Sequence, residues 1–293
     1  MTEINTLPGF VTGTSLLPDA YAPGEWATIP QGIDADGDIL HHDIRTQPHR
    51  LFLGYLGSAA EPALISDLVH RLARGHRIVL IDPKNRLRDV TAKPWYTDAV
   101  TDGAFDAVAE GTYAAVEELP RRADVLKAHK AATWSDLPEE VRDQESLVPI
   151  TVVVADLGAL TLTDGYSTVE RLAALRAVHN LTEISATGRA VGIYLLIRTQ
   201  RATADTLPPV LRENLNISAP VTPIQKPLAW EDLATTFGSE ARQVAALLNA
   251  GDKHPGRAVT IDPAGRVVLY RVNWFERDEV DTHLSRLGVP KAS

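Results

Sequence analysis

The run Leu51-Phe52-Leu53-Gly54-Tyr55-Leu56-Gly57-Ser58-Ala59-Ala60-Glu61-Pro62 carries the residues whose types and spacing come nearest to a chemical site. Three apolar residues lead into a turn containing Gly54, Gly57 and Ser58. Pro62 then opens an amphipathic run with Leu64, Ile65, Leu68, Val69 and Leu72 at helical spacing. Strand, tight loop and helix is the layout in which backbone N–H groups and a helix N-terminus cradle phosphate. The phosphate-loop pattern is G-x-x-x-x-G-K-[ST]. Gly54 stands at its first glycine, but Ala59 takes the second glycine, Ala60 the lysine and Glu61 the hydroxyl. The frame is kept and its chemistry is replaced. Glu61 brings a carboxylate to the helix N-terminus, where the dipole stabilises it by about 0.3–1 kcal/mol and where it would repel a nucleotide's phosphates. With Pro62 as the first helical residue, Glu61 is expected to finish the helix internally, in the ligand's place.

The elements that must position this stretch follow from periodicity. Ile33–Leu40 predicts a hairpin turning at Asp36-Gly37. A calcium loop through Asp34, Asp36 and Asp38 is rejected, because its bridging glutamate position is Arg45. Arg50–Tyr55 is the first core strand, Pro62–Arg74 the helix after it, and Gly75 its C-terminal stop. Arg77–Ile81, Pro149–Ala155 and Val191–Ile197 are apolar runs of strand length, as buried parallel strands are. Between them Asp106–Lys130 is largely helical, with Pro120 starting a new turn or kink. Ser167–Ala186 has apolar Val169, Leu172, Leu175, Val178 and Leu181 at helical spacing. A short helix near Leu207–Asn214 precedes a fifth strand around Ile217–Val221. Two helical runs (Trp230–Phe237, Ser239–Leu248), two strands (Gly256–Ile261, Arg266–Val272) and a helix (Arg277–Leu287) close the chain.

Alternating strands and helices imply an α/β, doubly wound, mainly parallel sheet with helices on both faces. Residues 1–33, punctuated by Pro and Gly, are expected to form an extended arm. Residues 34–293 are expected to form one domain, with 227–293 as a small closing edge of helices and strands. Ligands of such sheets bind beyond the carboxyl ends of the strands. Those ends carry Gly57 and Ser58, Asp82 and Lys84, Asp156, and Thr199 and Gln200. That convergence is the main functional pointer in the chain.

Composition sets the outer bounds. With 293 residues, 44% hydrophobic and 23% charged, the chain has the make-up of a soluble globular protein. A formal charge of −9 argues against general adhesion to nucleic acid or anionic membrane, while leaving room for a local basic patch. Zero cysteines exclude disulfides and thiolate metal sites. The first thirty residues or so lack a basic start ahead of an apolar run, so no secretory signal is expected. No apolar stretch approaches the ~18 residues of a membrane span, and the expected location is cytoplasmic.

Several stretches together resemble the motor domain of the FtsK/SpoIIIE DNA translocases, within the FtsK–HerA group of RecA-like P-loop ATPases. Asp34–Ile44 followed by Gln47-Pro48-His49-Arg50-Leu51-Phe52-Leu53-Gly54 is similar to that family's approach to its phosphate loop. Ile81-Asp82-Pro83-Lys84, Glu117-Glu118-Leu119-Pro120-Arg121-Arg122, Asn214 and Pro255-Gly256-Arg257-Ala258 resemble further segments in order. The best match is Thr187-Gly188-Arg189-Ala190-Val191-Gly192-Ile193-Tyr194-Leu195-Leu196-Ile197-Arg198-Thr199-Gln200-Arg201. The likeness runs over about residues 34–275. It implies a RecA-like fold, ATP and Mg²⁺ as ligands, DNA as substrate and hexameric relatives.

The departures lie at the chemistry. In the family a lysine neutralises the phosphates and a Ser/Thr helps hold Mg²⁺; Ala60 and Glu61 do neither. Where the family carries Asp-Glu at the third strand, metal holder then base, this chain has Asp156-Leu157. Where the family tends to carry an arginine reaching a neighbour's nucleotide, near Ile217–Ala219, it has Ser218. Three parts missing together imply a pseudo-ATPase with degenerate Walker A and Walker B motifs, no catalytic residue, no metal site and no cofactor. Gly54, Gly57, Ser58, Ala60, Glu61, Asp156 and Gln200 are then vestigial nucleotide-site positions, with Asp82, Lys84 and Arg201 as possible auxiliaries.

Each of these residues also has a plainer use. Gly54 and Gly57 either permit a tight turn or keep a residual anion site. Asp156 is more often a turn or capping residue than a metal ligand when its partners are gone. Asp82-Pro83-Lys84 is a turn in its own right, and Gln200 a polar strand cap. Arg121, Arg122, Lys127, His129 and Lys130 are usually explained as a solvated face rather than a DNA contact. His41-His42 lack metal-ligand spacing. Trp134, Trp230 and Trp274 read as core or rim packing rather than base-stacking platforms.

Three functions remain in view. The first is a degenerate FtsK-like domain acting by binding in a DNA-translocation or DNA-transfer assembly, with DNA, active FtsK-like subunits or copies of itself in a ring as partners. The second is a divergent, working ATP-dependent DNA translocase whose lysine comes from elsewhere, Lys84 or a neighbouring subunit. The third is a protein-binding module like the degenerate ATPase domains of type VII secretion motors.

Overall fold

The computed structural model describes residues 25–55, 58, 60–87, 98–100, 105–220, 228–249, 256–262, 264–273, 275, 277–287 and 289. Most of the proposed arm, Gly57, Ala59, Pro255 and Trp274 lie outside them. Among these described residues the chain forms a RecA-like α/β fold around one sheet of ten strands. In chain order these are β1 (Thr28–Asp34), β2 (Ile39–Asp43), β3 (Arg50–Leu53), β4 (Arg77–Ile81), β5 (Asp98–Val100), β6 (Ile150–Val154), β7 (Ile193–Thr199), β8 (Asn216–Pro220), β9 (Arg257–Ile261) and β10 (Val267–Val272). Across the sheet they run β2-β1-β10-β9-β8-β3-β7-β6-β4-β5.

The stretch from β8 to β5 is parallel. β9, β10, β1 and β2 continue it with antiparallel pairings. The C-terminal strand pair is therefore interior, where a closing edge was expected, and the N-terminal hairpin is the edge. Residues 28–33, expected to be arm, pair with β10 and β2 as part of β1. The hairpin turns where the sequence places it. Gly37 takes φ 88°, and Asp34 Oδ1 accepts from the N–H of Asp36 and Asp38. β5 is a short parallel strand beyond β4 that apolar patterning did not indicate.

The first crossover helix, α1 (Ala60–Ala73), covers one face of the sheet together with α9 (Arg277–Arg286). The opposite face carries α2 (Phe105–His129), α5 (Thr168–Val191), α7 (Trp230–Phe237) and α8 (Ala241–Asn249). Short helices α3 (Glu139–Gln144), α4 (Gly158–Thr161) and α6 (Pro209–Asn214) complete the connections. Pro120 sits inside an unbroken α2, where a new turn or kink was expected. α5 begins at a capping box, Ser167 with Glu170, and ends at Gly192 with φ 77°.

Its buried face keeps Val178 and Leu181 of the expected stripe and departs from the rest. Val169, Leu172 and Leu175 are 51–62% exposed, while Ala173, Ala174, Ala177, Leu181, Ile184 and Val191 are buried. In its first half, small side chains let α5 lie close on α2 and the larger apolar ones are left outside. Arg122 is buried as well, instead of lying on a solvated face. It donates to the carbonyls of Val148 and Val191 and pairs with Glu118. Trp134 is core, with its Nε1–H on the Leu147 carbonyl and its ring edge-on to Trp26, but Trp230 is 54% exposed.

Under α1, at the amino ends of the strands, lies a buried charged cluster. Asp67 accepts from Arg50 Nη1 at 2.5 Å and from Arg71 Nε at 2.6 Å, tying α1 to the start of β3. Burial alone would raise the Asp67 pKa, but Arg71 and Arg50 outweigh it and hold the carboxyl well below the usual range. Around it His42, His49, His70 and His76 are buried, and burial first, with nearby arginines, lowers their pKa values, to about 3 for His49 and His70.

Two outcomes follow. Asp67→Ala leaves two buried arginines without their counterion, and a urea melt should show a loss of about 3–5 kcal/mol; a loss under ~1 kcal/mol would contradict the role given to the pair. The histidines stay neutral in the fold but charge in the unfolded chain below about pH 6.5. Their contribution is whole above that pH and drains away as pH falls from about 6.5 toward 3, by about 2 kcal/mol at pH 5 for each of His49 and His70. Urea midpoints should therefore drop steeply between pH 7 and about 5; a flat profile across that window would refute the account.

Candidate functional site

The carboxyl ends of β3, β4, β6 and β7 meet at one edge, and the backbone there is closed by short hydrogen bonds. Gly54 N–H donates to the Thr199 carbonyl at 3.0 Å, Ala155 N–H to Ile81 at 3.0 Å, and Leu157 N–H to Arg198 at 2.8 Å. The edge thus gathers Gly54, Asp82, Asp156 and Thr199–Gln200, as the sequence indicated. Gly57 lies outside the described residues.

At the loop, Ser58 N–H donates to the Tyr55 carbonyl, and Ser58 Oγ accepts from Ala60 N–H at 3.2 Å. The helix begins at Ala60 rather than Pro62, which places Glu61 within the first turn. One N-terminal donor of α1 is therefore taken by the chain's own Ser58. Ala60, at the lysine position of the pattern, is fully buried against Phe52 and the α1 side of the sheet.

Asp82 is committed to its own turn. Its Oδ1 accepts from Arg86 N–H at 2.8 Å and its Oδ2 from Leu87 N–H at 2.6 Å, and it has no exposure. Lys84 is exposed on that turn. Asp156 is buried at the end of β6, with Oδ1 close over Gly158. The next residue, Leu157, is fully buried and packs into the main hydrophobic cluster. Gln200 is half-buried at the end of β7. Arg201 reaches away from the cradle to Asp232, Nε to Oδ2 at 3.1 Å, and Asp232 Oδ1 also accepts from Ala202 N–H at 2.8 Å. Asp232 is fully buried in the first turn of α7, so this pair fastens β7 to the C-terminal helices.

Sequence reasoning passed over one residue here, Arg198. It is 1% exposed and stands on β7 opposite Phe52 of β3, facing the α1 side. Its Nη1 donates to the Ala155 carbonyl at 3.2 Å, and among the described residues its Nε has no hydrogen-bond partner. Burial lowers its pKa from the ordinary arginine value, while Asp156, Glu61 and Asp82 act in the opposite direction. The available signal was a charged residue closing an otherwise apolar strand, Ile193–Ile197.

No family model matches the chain. The DNA translocase FtsK of Helicobacter pylori strain J99 is 26% identical over 201 residues, covering 64% of this chain and 22% of its own length. The DNA translocase SftA of Bacillus subtilis is 27% identical over 197 residues, covering 64% of this chain and 20% of its own. The chain is thus similar to DNA translocases of the FtsK type over about two thirds of its length. It spans about a fifth of the length of the curated relatives it matches. The fold agrees with that of two solved structures. The conjugation coupling protein TcpA of pCW3, in its monomer form with ATPγS, superposes with TM-score 0.79 at 17% identity, over 97% of this chain and 76% of its own. The cytoplasmic domain of the type VII secretion ATPase EccC of Thermomonospora curvata gives TM-score 0.70 at 19% identity, over 98% and 35%. No helix among the described residues of this FtsK-like domain is long and apolar enough to cross a membrane.

The cradle's geometry separates binding from chemistry. A lysine at position 60 and a hydroxyl at 61 would supply a cation and a metal-directed oxygen, whereas Leu157, next to Asp156, is a buried hydrocarbon with no proton to exchange. Ala60→Lys with Glu61→Ser should therefore gain calorimetric affinity for ATP·Mg²⁺ over the parent while hydrolysis stays near background. Full turnover in that double variant would show Leu157 to be irrelevant.

Proposed function

We propose that this is a catalytically degenerate FtsK-like domain that acts through binding within a DNA-translocation or DNA-transfer assembly. The observation that carries the reading is the make-up of the cradle. Its lysine position is a buried alanine, its hydroxyl position a glutamate in the first turn of α1, and its base position a leucine inside the core. ATP·Mg²⁺ fits these residues poorly. The carboxylates Glu61 and Asp156 stand where the phosphate-loop pattern places phosphate and its metal, and would repel phosphate charge. Lys84, the substitute lysine of the active-enzyme reading, lies exposed on the Asp82 turn.

DNA handling is supported by homology to proteins named DNA translocases and by likeness to a conjugation coupling protein. A second reading, a protein-binding module, draws on the likeness to the type VII secretion ATPase EccC and on Val169, Leu172 and Leu175 exposed along α5. Ring partners, whether active FtsK-like subunits or further copies of this chain, belong to the first reading, as does a cytoplasmic setting.

Two measurements test the choice. Isothermal calorimetry with ATP·Mg²⁺ should show no binding; micromolar affinity with DNA-stimulated hydrolysis would establish an active translocase. Duplex-DNA mobility shifts across a salt series should show steeply salt-dependent binding, since each neutralised phosphate adds about 0.9 to the log–log slope. An absent or salt-flat shift would favour the protein-binding module.

A further inference from the structure

Where two helices meet through alanines, the facing side chains are too short to close the seam, and larger apolar residues beneath it stay within reach from outside. This happens between the C-terminal halves of α2 and α5, at the amino ends of the strands and away from the cradle. A groove of about 950 Å³ opens there. Its floor includes Leu119, Leu126 and Val191 of the main core cluster, and Ala123, Ala186 and Ala190 stand along its walls. The rim carries the exposed cations Lys127 and Arg189 against one carboxylate, Glu183. An apolar floor is a poor seat for phosphate or a metal ion. The volume lies near the top of the ~300–1,000 Å³ range of ligand sites and suits several side chains of a peptide.

The chain itself passes the end of this groove. Thr133 of the groove leads into Trp134, and Val191 leads into Gly192, where an added Cβ would stand 2.7 Å from the Trp134 ring. Trp26 meets the same junction, its ring edge-on to Trp134 with centroids 5.0 Å apart. Glu25, the residue before it, is the first that the structure describes. Residues 1–24 are therefore joined to the fold one residue away from an aromatic contact at the groove's end.

Their composition complements the groove. They hold Glu3 and Asp19 and no Lys, Arg or His. The run Leu16-Leu17-Pro18-Asp19-Ala20-Tyr21 sets three large apolar side chains beside one carboxylate. Reach is not limiting. From Glu25 back to Leu17 an extended chain spans up to about 28 Å, against about 12 Å along α2 from Leu119 to Lys127. So short a tether gives an effective concentration of order millimolar, which favours the chain's own segment over one from another molecule.

We propose that the α2–α5 groove is the docking seat of this chain's own residues 16–21, with Leu16, Leu17 and Tyr21 on the apolar floor and Asp19 at Lys127 and Arg189. The apolar contacts supply the affinity, and the rim charges set the register. A partner's apolar segment then gains the groove only by displacing the chain's own. The proposal does not depend on whether the cradle takes nucleotide.

The chain has no cysteine, so a single introduced thiol reports on one place. Ala186→Cys puts it on the groove wall, and Ala128→Cys puts a control on an exposed part of α2 outside the groove. In the full chain the groove thiol should react with DTNB more slowly than the control by about tenfold or more. Adding Leu17→Asp and Asp19→Lys should bring the groove thiol to the control's rate and leave the control unchanged. Both changes fall outside the folded core, so the released thiol is read on an intact domain. Equal rates for the two thiols without those changes would overturn the proposal. So would a slow groove thiol that Leu17→Asp and Asp19→Lys fail to release, because the wall itself would then be the cause. Protection that disappears on dilution would assign the groove to a second copy of the chain and overturn docking in cis.

Discussion

The placement of α1 rests on Asp67. Its carboxylate is fully enclosed between Arg50, at the first residue of β3, and Arg71, one turn further along the helix. Arg50 is bonded in turn to Gln31 of β1, and Arg71 reaches Thr151 of β6. One buried anion therefore fixes a helix to strands far apart in sequence, and it does so at the amino ends of the strands. A buried ion pair contributes little net stability over an apolar replacement, but breaking it is costly, so it acts mainly to specify geometry. The seat of the helix is set by charges remote from the edge where a ligand would bind.

That separation lets the loop at the carboxyl ends depart from the phosphate-loop pattern without moving the helix. The opposite end of α1 needs only a partner for its N-terminal N–H groups and a tolerable local charge. Ser58 Oγ meets the first need at Ala60. Arg198, beneath the sheet surface, bears on the second. At β6 the same logic holds: Asp156 ends the strand at the cradle, and Leu157 beside it turns inward to join Leu160 and Leu207 in the core. A base at that position would have to be exposed to act, whereas a leucine gains by burial, roughly 1.5–3 kcal/mol for a full side chain.

How much of this the sequence discloses depends on how local the cause is. β4 is found to the residue, because Arg77–Ile81 is a continuous apolar run between a glycine stop and Asp82-Pro83. The Asp36-Gly37 turn and the Ser167–Glu170 cap are equally local, written in side chains that bond their own neighbours. Lateral order is not local. Nothing in Arg257–Val272 says that the β9–β10 pair lies between β8 and β1 rather than at an edge, since that is settled by pairing with β1, more than two hundred residues earlier.

The first half of α5 departs from its apolar stripe for a related reason. Periodicity picks out the largest apolar residues, but contact with α2 selects small ones, so Ala173, Ala174 and Ala177 go inside and Val169, Leu172 and Leu175 stay out. A helix judged by residue size alone is turned the wrong way whenever its neighbour must come close.

The cradle combines both kinds of cause, which is why it was half legible. Positions 54 to 61 can be compared with a pattern one residue at a time, and the missing lysine and hydroxyl are plain. The buried arginine at the same edge, Arg198, is distant in sequence, on a strand that any apolar count assigns to the core. Arg201 shows the same limit from the other side. Its place in the Thr199-Gln200-Arg201 run suggests a part in the site, yet its guanidinium turns to Asp232, a fully buried carboxylate at the start of α7. Two arginines at and just past the end of β7 thus hold different elements: Arg198 the Ala155 carbonyl after β6, and Arg201 the Asp232 carboxylate of α7.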